Sequence, residues 1–223
     1  MKNKDEKEEI ALGISLLKKN GININLPEEL NIQLNENILF EGNDVLFKKY
    51  VKQSKNYLEY GSGKSTVWAA KNTNSKIFSI ETDREWVSKT LNSLDKSDSK
   101  KVNLKYIDIG KVGNHGRPFS FQNHFNFTKY TDYFWDKKIK PDFILIDGRF
   151  RVCSFLTCLK YAGKDTPILF DDYIERKYYH IVEEFIKISE INSNQALFIK
   201  DSNTKLNKTK LDKMINNFRF VVD

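Results

Sequence analysis

After residue 55 the sequence settles into short apolar runs separated by longer amphipathic stretches, and this alternation constrains the fold more than any other feature. The runs fall at 56–60 (NYLEY), 76–81 (KIFSIE), 102–108 (VNLKYID), 142–147 (DFILID) and 167–171 (PILFD). Helical spacing fills the gaps at about 65–72, 83–94, 128–138, 149–160 and 174–190. Apolar strands alternating with helices predict parallel strands joined by right-handed crossovers, with helices on both faces of the sheet. Two further runs, 196–200 (ALFIK) and 217–222 (NFRFVV), extend the count to seven strands, the last pair as an antiparallel edge. The expected fold is a Rossmann-like, doubly wound, mostly parallel seven-stranded sheet.

The first 54 residues read differently. Ile10, Ile14 and Leu17 recur at helical spacing over 4–19, and Asn20-Gly21 supplies a stop. Residues 22–41 are irregular, and Asn43 is positioned to cap a helix running to about Ser54. The organisation expected is a helical N-terminal lid over 1–54 and a main domain over 55–223. Thr82 followed by Glu85 has the form of a capping box for the helix after the second strand.

Bulk properties exclude several classes. The chain has 223 residues, long enough to bury a core without disulfide or metal staples. No apolar run approaches the roughly 20 residues that span a bilayer, and the mixed-charge start MKNKDEKEEI lacks the pattern of a secretory signal. A cytoplasmic protein without a membrane partner is expected. Cys153 and Cys158 match no metal spacing and read as small buried hydrophobes. The 37 basic and 30 acidic residues are interspersed, so the net charge of +7 marks no nucleic-acid surface.

The chemistry concentrates at the ends of the runs. The first strand leads into Glu59-Tyr60-Gly61-Ser62-Gly63-Lys64-Ser65-Thr66. A phosphate-binding P-loop ends similarly but needs a further glycine five positions before the second one, where Leu58 stands. A dinucleotide fingerprint wants a third glycine, where Thr66 stands. An acid two residues before Gly-x-Gly is a third pattern, and the following strands also end in acids. Glu81 lies 20 residues after Gly61, a spacing suited to a ribose diol, and Asp108 and Asp147 end the next two strands. A diverged P-loop using Lys64 and Ser65, and a non-catalytic Rossmann-like binding module, stay open as alternatives.

The segments LEYGSGKSTVWAAK and FSIETDREW resemble the glycine and ribose motifs of class I S-adenosylmethionine-dependent methyltransferases. IDIGKVGNHGRPFS and DFILIDGRFRVCSF are similar to a largely bacterial, little-characterised subgroup. The resemblance spans roughly 55–200. It implies S-adenosylmethionine bound across Glu59, Tyr60, Gly61, Ser62, Gly63, Glu81 and Asp108, with Asp147 facing the transferred methyl. It requires the Lys64 side chain to point away from the cofactor. The acceptor expected is an oxygen or nitrogen of a small molecule or sugar-like compound.

Asp147, Asp171 and Asp172 close neighbouring strands, and such a cluster needs a compensating cation. A Mg²⁺ ion, as in metal-dependent O-methyltransferases, is one reading. Neutralisation by Arg149, Arg151 or Arg176 is the other, and those arginines equally suit an anionic substrate. His115, in the long irregular stretch 109–127, is the first choice for a general base, ahead of His124 and His180. Phe119, Phe121, Phe125, Phe127 and Trp135 are expected to anchor that stretch to the core rather than line an acceptor pocket.

Overall fold

Strands β1 (Asn56–Tyr60) and β4 (Phe143–Ile146) lie side by side in the middle of the sheet, and Tyr57–Tyr60 and Phe143–Ile146 are all buried. A parallel strand covered on both faces has no solvent side, which is why these segments appear in sequence as nearly continuous apolar runs. The computed structural model describes residues 13, 38–40, 44–201 and 204–223. The helix expected over 4–19 and most of the stretch 22–41 lie outside them.

The remaining strands are β2 (Lys76–Glu81), β3 (Val102–Tyr106), β5 (Pro167–Phe170), β6 (Glu190–Asn192) and β7 (Gln195–Ile199). Their order is β3-β2-β1-β4-β5-β7-β6, with β1 to β5 parallel, β7 antiparallel to β5, and β6 antiparallel to β7. The winding direction reverses between β1 and β4. In such sheets the crevice at the carboxyl ends of the two strands flanking the reversal is where ligands bind.

Among the described residues six α-helices of two turns or more accompany the sheet: α1 (Val45–Val51), α2 (Lys64–Asn72), α3 (Arg84–Asn92), α4 (Phe127–Asp136), α5 (Arg151–Tyr161) and α6 (Lys208–Phe218). The period-two geometry of strands sorts their side chains into two cores. Leu58, Tyr60, Ile144 and Ile146 face Phe134 of α4, Phe155 of α5 and Ile215 of α6. Tyr57, Phe143 and Leu145 face the other way, onto Phe47 of α1 and Ala69 and Ala70 of α2. The α1 helix therefore packs on the sheet, its Phe47 ring 5.6 Å from Tyr57. No helix among the described residues is long and apolar enough to cross a membrane.

Four local expectations are corrected. The segment 217–222 is not a strand: it begins in the last turn of α6, whose Leu211 and Ile215 are buried at a spacing of four. The seventh strand is instead Glu190–Asn192, a short partner to β7 across a tight turn at Ser193, which has a left-handed φ of 54°. The helix expected over 174–190 is a 3₁₀ helix, Lys177–Glu184. The cap of α3 is Asp83, whose carboxylate accepts from the N–H groups of Glu85 and Trp86; the Thr82 hydroxyl donates to the Gly116 carbonyl. At the amino end of α1 the helix opens at Asp44, which turns its carboxylate back to the N–H groups of Leu39 and Phe40; Asn43 is outside the described residues.

The packing of α6 against α5 yields a test. Ile215→Ala removes a side chain that is 3% exposed and is expected to lower unfolding free energy by about 2–4 kcal/mol. Urea denaturation with an unchanged slope measures it. A cost below roughly 0.5 kcal/mol would mean that α6 does not close this core.

Candidate active site

Two turns meet at the carboxyl ends of β1 and β4, and their backbones touch. A Cβ built on Gly61, whose φ is +91°, lies 2.7 Å from the Gly148 Cα; one built on Gly148 lies 2.7 Å from the Gly61 nitrogen. Neither position has room for a side chain, so glycine at both is a packing requirement as well as a conformational one. Beyond this contact opens a cleft of about 940 Å³.

Gly61 and Ser62 form one wall of the cleft, with Glu81 at the end of β2 beside them. The Glu81 carboxylate accepts from the Ser62 N–H at 3.0 Å and from the Thr82 N–H at 2.7 Å. Trp86 of α3 completes this side, its indole N–H donating to the Ser62 carbonyl at 2.6 Å. The stretch 109–127 crosses the mouth. The Thr82–Gly116 hydrogen bond of 2.9 Å pins it down and brings Asn114, His115 and Arg117 to the lining. His115 is held at a left-handed φ of 57°.

The opposite wall is Asp147-Gly148-Arg149 together with Asp171 and Asp172. Asp147, Asp171 and Asp172 do converge, each offering a carboxylate oxygen within 4.8 Å of the others. The cation among them is Arg151, which is 4% exposed. Its guanidinium pairs with Asp147 at 3.0 Å and Asp172 at 3.1 Å, and donates to the Gly148, Asp171 and Asp147 carbonyls at 3.0, 2.8 and 3.1 Å. Arg176 adds a 2.7 Å pair to Asp172. Asp171 accepts instead from the Gln195 amide at 2.7 Å. Burial pushes the Asp171 carboxyl well above its ordinary range, with Asp147 adding to the rise and Arg151 opposing it. A donor set already engaged by a buried guanidinium does not fit a divalent ion as well, so the Mg²⁺ reading gives way to the arginine reading.

Glu59 is fully buried beneath the glycine turn. It accepts from the hydroxyls of Tyr57 at 2.5 Å, Ser65 at 2.9 Å and Thr66. Thr66 in turn accepts from the Gly63 N–H at 2.9 Å, so Glu59 braces the turn from below. The Tyr60 side chain is core: its hydroxyl donates to the Thr131 carbonyl at 2.8 Å. Asp108 lies past the end of β3, exposed, accepting from the Gly110 N–H at 2.9 Å. Lys64 donates to the Ile38 carbonyl. With Ser65 occupied by Glu59, the two side chains a P-loop would use are both directed elsewhere.

His124 and His180 do not line the cleft, the latter stacking on Tyr173 at 4.9 Å. Of the five aromatics, Phe127 is buried and Trp135 stacks on Tyr161. Phe119, Phe121 and Phe125 are exposed and line no part of the cleft, but the Phe121 ring meets buried Phe127 edge-on at 5.5 Å and so anchors the stretch to the core. Trp86, Arg117, Glu175 and Asn194 line the cleft without having been named from the sequence; Trp86 and Arg117 fell within segments singled out there, FSIETDREW and IDIGKVGNHGRPFS, and Glu175 and Asn194 carried no signal.

No family model and no curated protein matches the sequence. Among solved structures the chain is similar to a methyltransferase-like protein from Silicibacter pomeroyi, at 29% identity and a TM-score of 0.67 over 77% of this chain and 92% of that one. It shares the fold, at 13% identity and a TM-score of 0.52, with a cofactor-bound protein from MTB over 86% of this chain and 90% of that one.

The buried Glu59 makes stability depend on pH. Burial raises its carboxyl from 4.5 to about 7 against the pull of its hydroxyl donors. The folded state thus binds this proton more tightly than the unfolded chain, a stabilisation complete below pH 4.5 and lost as pH rises through about 7. Relative to Glu59→Gln, which cannot ionise, the wild type should lose roughly 1–3 kcal/mol between pH 5 and 8. Parallel pH profiles for the two proteins would contradict this. The strand order with its reversal between β1 and β4, the glycine turn beside a strand-end carboxylate, and the likeness to the Silicibacter protein agree: the chain has the Rossmann-like fold of the class I S-adenosylmethionine-dependent methyltransferases and is similar to a methyltransferase-like protein over most of its length.

Proposed function

We propose that the protein transfers a methyl group from S-adenosylmethionine to an oxygen or nitrogen of a small-molecule acceptor held in the same cleft. The observation that carries this reading is the meeting of the Gly61–Ser62 turn with the Glu81 carboxylate on one wall. A carboxylate at that strand end suits a ribose diol, and glycine at position 61 lets a ligand approach the backbone of the turn. The volume of about 940 Å³ suits a cofactor together with a small acceptor.

When bound, the cofactor supplies a methyl group already activated as a sulfonium, so alignment and exclusion of water carry much of the catalysis. Ser62 and Glu81 hold the ribose end. Asp108, two residues past the end of β3, is the residue for the adenine amino group. Asp147 faces the transferring methyl, its charge balanced by Arg151. His115 is placed on the pinned loop to take a proton from an acceptor hydroxyl or amine. Leu39 and Phe40 close part of the cleft while α1 packs on the sheet, so within residues 1–54 the lid reading is kept for the part that precedes α1. The free, buried thiols of Cys153 and Cys158 accord with a cytoplasmic location.

The test is thermal-shift titration with S-adenosylhomocysteine, and with ATP plus Mg²⁺ as the rival ligand. At about 100 times its dissociation constant a ligand adds roughly 2.7 kcal/mol, worth several degrees in a domain this size. Glu81→Ala should weaken S-adenosylhomocysteine binding by about 10–100-fold, while Lys64→Ala should leave it within about threefold. A shift with ATP alone, abolished by Lys64→Ala, would replace this reading with a nucleotide-binding one.

A further inference from the structure

The wall of the cleft opposite Glu81 carries more guanidinium groups than its own carboxylates engage. Arg151 is fully committed to Asp147, Asp172 and three carbonyls, and Arg176 to Asp172 and the Tyr179 hydroxyl. Arg149 is different. Its backbone N–H donates to the Tyr130 hydroxyl at 3.2 Å, but among the described residues its side chain forms no hydrogen bond and no ion pair. Its charge still reaches Asp147. Its Nε is buried without a partner. Buried donors are ordinarily satisfied, so an orphaned guanidinium N–H at the edge of a cleft calls for an acceptor.

Arg117 stands across the mouth on the loop pinned by Thr82, exposed and also without an ion pair among the described residues. The acids on this side do not cancel the pair. Asp147 and Asp172 are already bridged by Arg151, and burial holds Asp171 toward its neutral form. Glu175 is the remaining acid of this wall; on the other, the Glu81 carboxylate is engaged by the Ser62 and Thr82 N–H groups and Asp83 by the N–H groups that open α3. A guanidinium presents N–H donors in a planar fork that matches two oxygens of a carboxylate or phosphate.

We propose that Arg149, with Arg117 opposite, binds an oxyanion of the methyl acceptor, so that the acceptor is an anionic small molecule carrying a carboxylate or phosphate group. The inference rests on the methyltransferase reading for the word acceptor, but the anion site itself can be tested apart from it.

Isothermal titration with inorganic phosphate and with malonate, against chloride at matched ionic strength, is carried out with and without saturating S-adenosylhomocysteine. Phosphate or malonate should bind the wild type above the chloride background, and the stronger of the two identifies the group. Arg149→Gln should weaken that anion by about 10–100-fold and leave S-adenosylhomocysteine within threefold. Arg117→Gln, an exposed position that folding does not depend on, should weaken it by a smaller factor. The proposal is overturned if neither anion binds above chloride, or if both variants bind as the wild type does. It is also overturned if Arg149→Gln weakens S-adenosylhomocysteine as much as the anion, since Arg149 would then hold the cofactor's own carboxylate. A short uridine oligomer binding at least 100-fold more tightly than phosphate would overturn the small-molecule assignment. Failure of S-adenosylhomocysteine to bind sinks the methyltransferase reading alone, because the anion titration without it still decides the site.

Discussion

The rest of the site depends on one contact, the approach of the Gly61 backbone to the Gly148 backbone at 2.7 Å from where a side chain would begin. Parallel pairing of β1 with β4 brings the two strand ends level, and the glycines let the turns that follow press together rather than splay apart. Everything polar in the cleft is positioned relative to that junction. Ser62 follows the first glycine and meets Glu81; Asp147 and Arg149 flank the second.

A second constraint acts just beyond it. Phe150 enters α5 through a left-handed φ of 54°, an unfavourable conformation for a bulky residue, and its ring is buried against Phe127 at 4.8 Å. That forced entry puts Arg151 at the first position of α5 with its side chain turned back under the turn. There it neutralises Asp147 and Asp172 and binds three carbonyls that the strand ends leave open. Removing a partner from such a buried pair is costly, whereas the intact set is closed to further cations. The result is a wall with a fixed charge pattern, on which the buried Arg149 Nε has no acceptor among the described residues.

Much of the fold was legible because buried parallel strands leave a strong trace. The runs 56–60 and 76–81 coincide with β1 and β2, and the order of strands and helices followed from alternation alone. The tail departs from its strand-like pattern for a physical reason. NFRFVV alternates like a strand, but the helical spacing of Leu211, Met214, Ile215 and Phe218 just before it carries the packing. The three-residue β6 has an exposed, polar-flanked sequence that no periodicity marks.

The site was legible in its residue types more than in its contacts. Strand-end acids are visible in sequence, yet Glu59 and Glu81 look alike there and differ completely in place, one bracing the turn from beneath and the other facing the cleft. Whether an aspartate cluster meets a metal or an arginine depends on where a helix starts, which spacing does not determine. The most direct measurement is a crystal structure with S-adenosylhomocysteine bound. The ligand is expected between the Gly61–Ser62 turn and Asp147, with its ribose hydroxyls on Glu81. A ligand seated elsewhere, or a cleft left empty at saturating concentration, would contradict this.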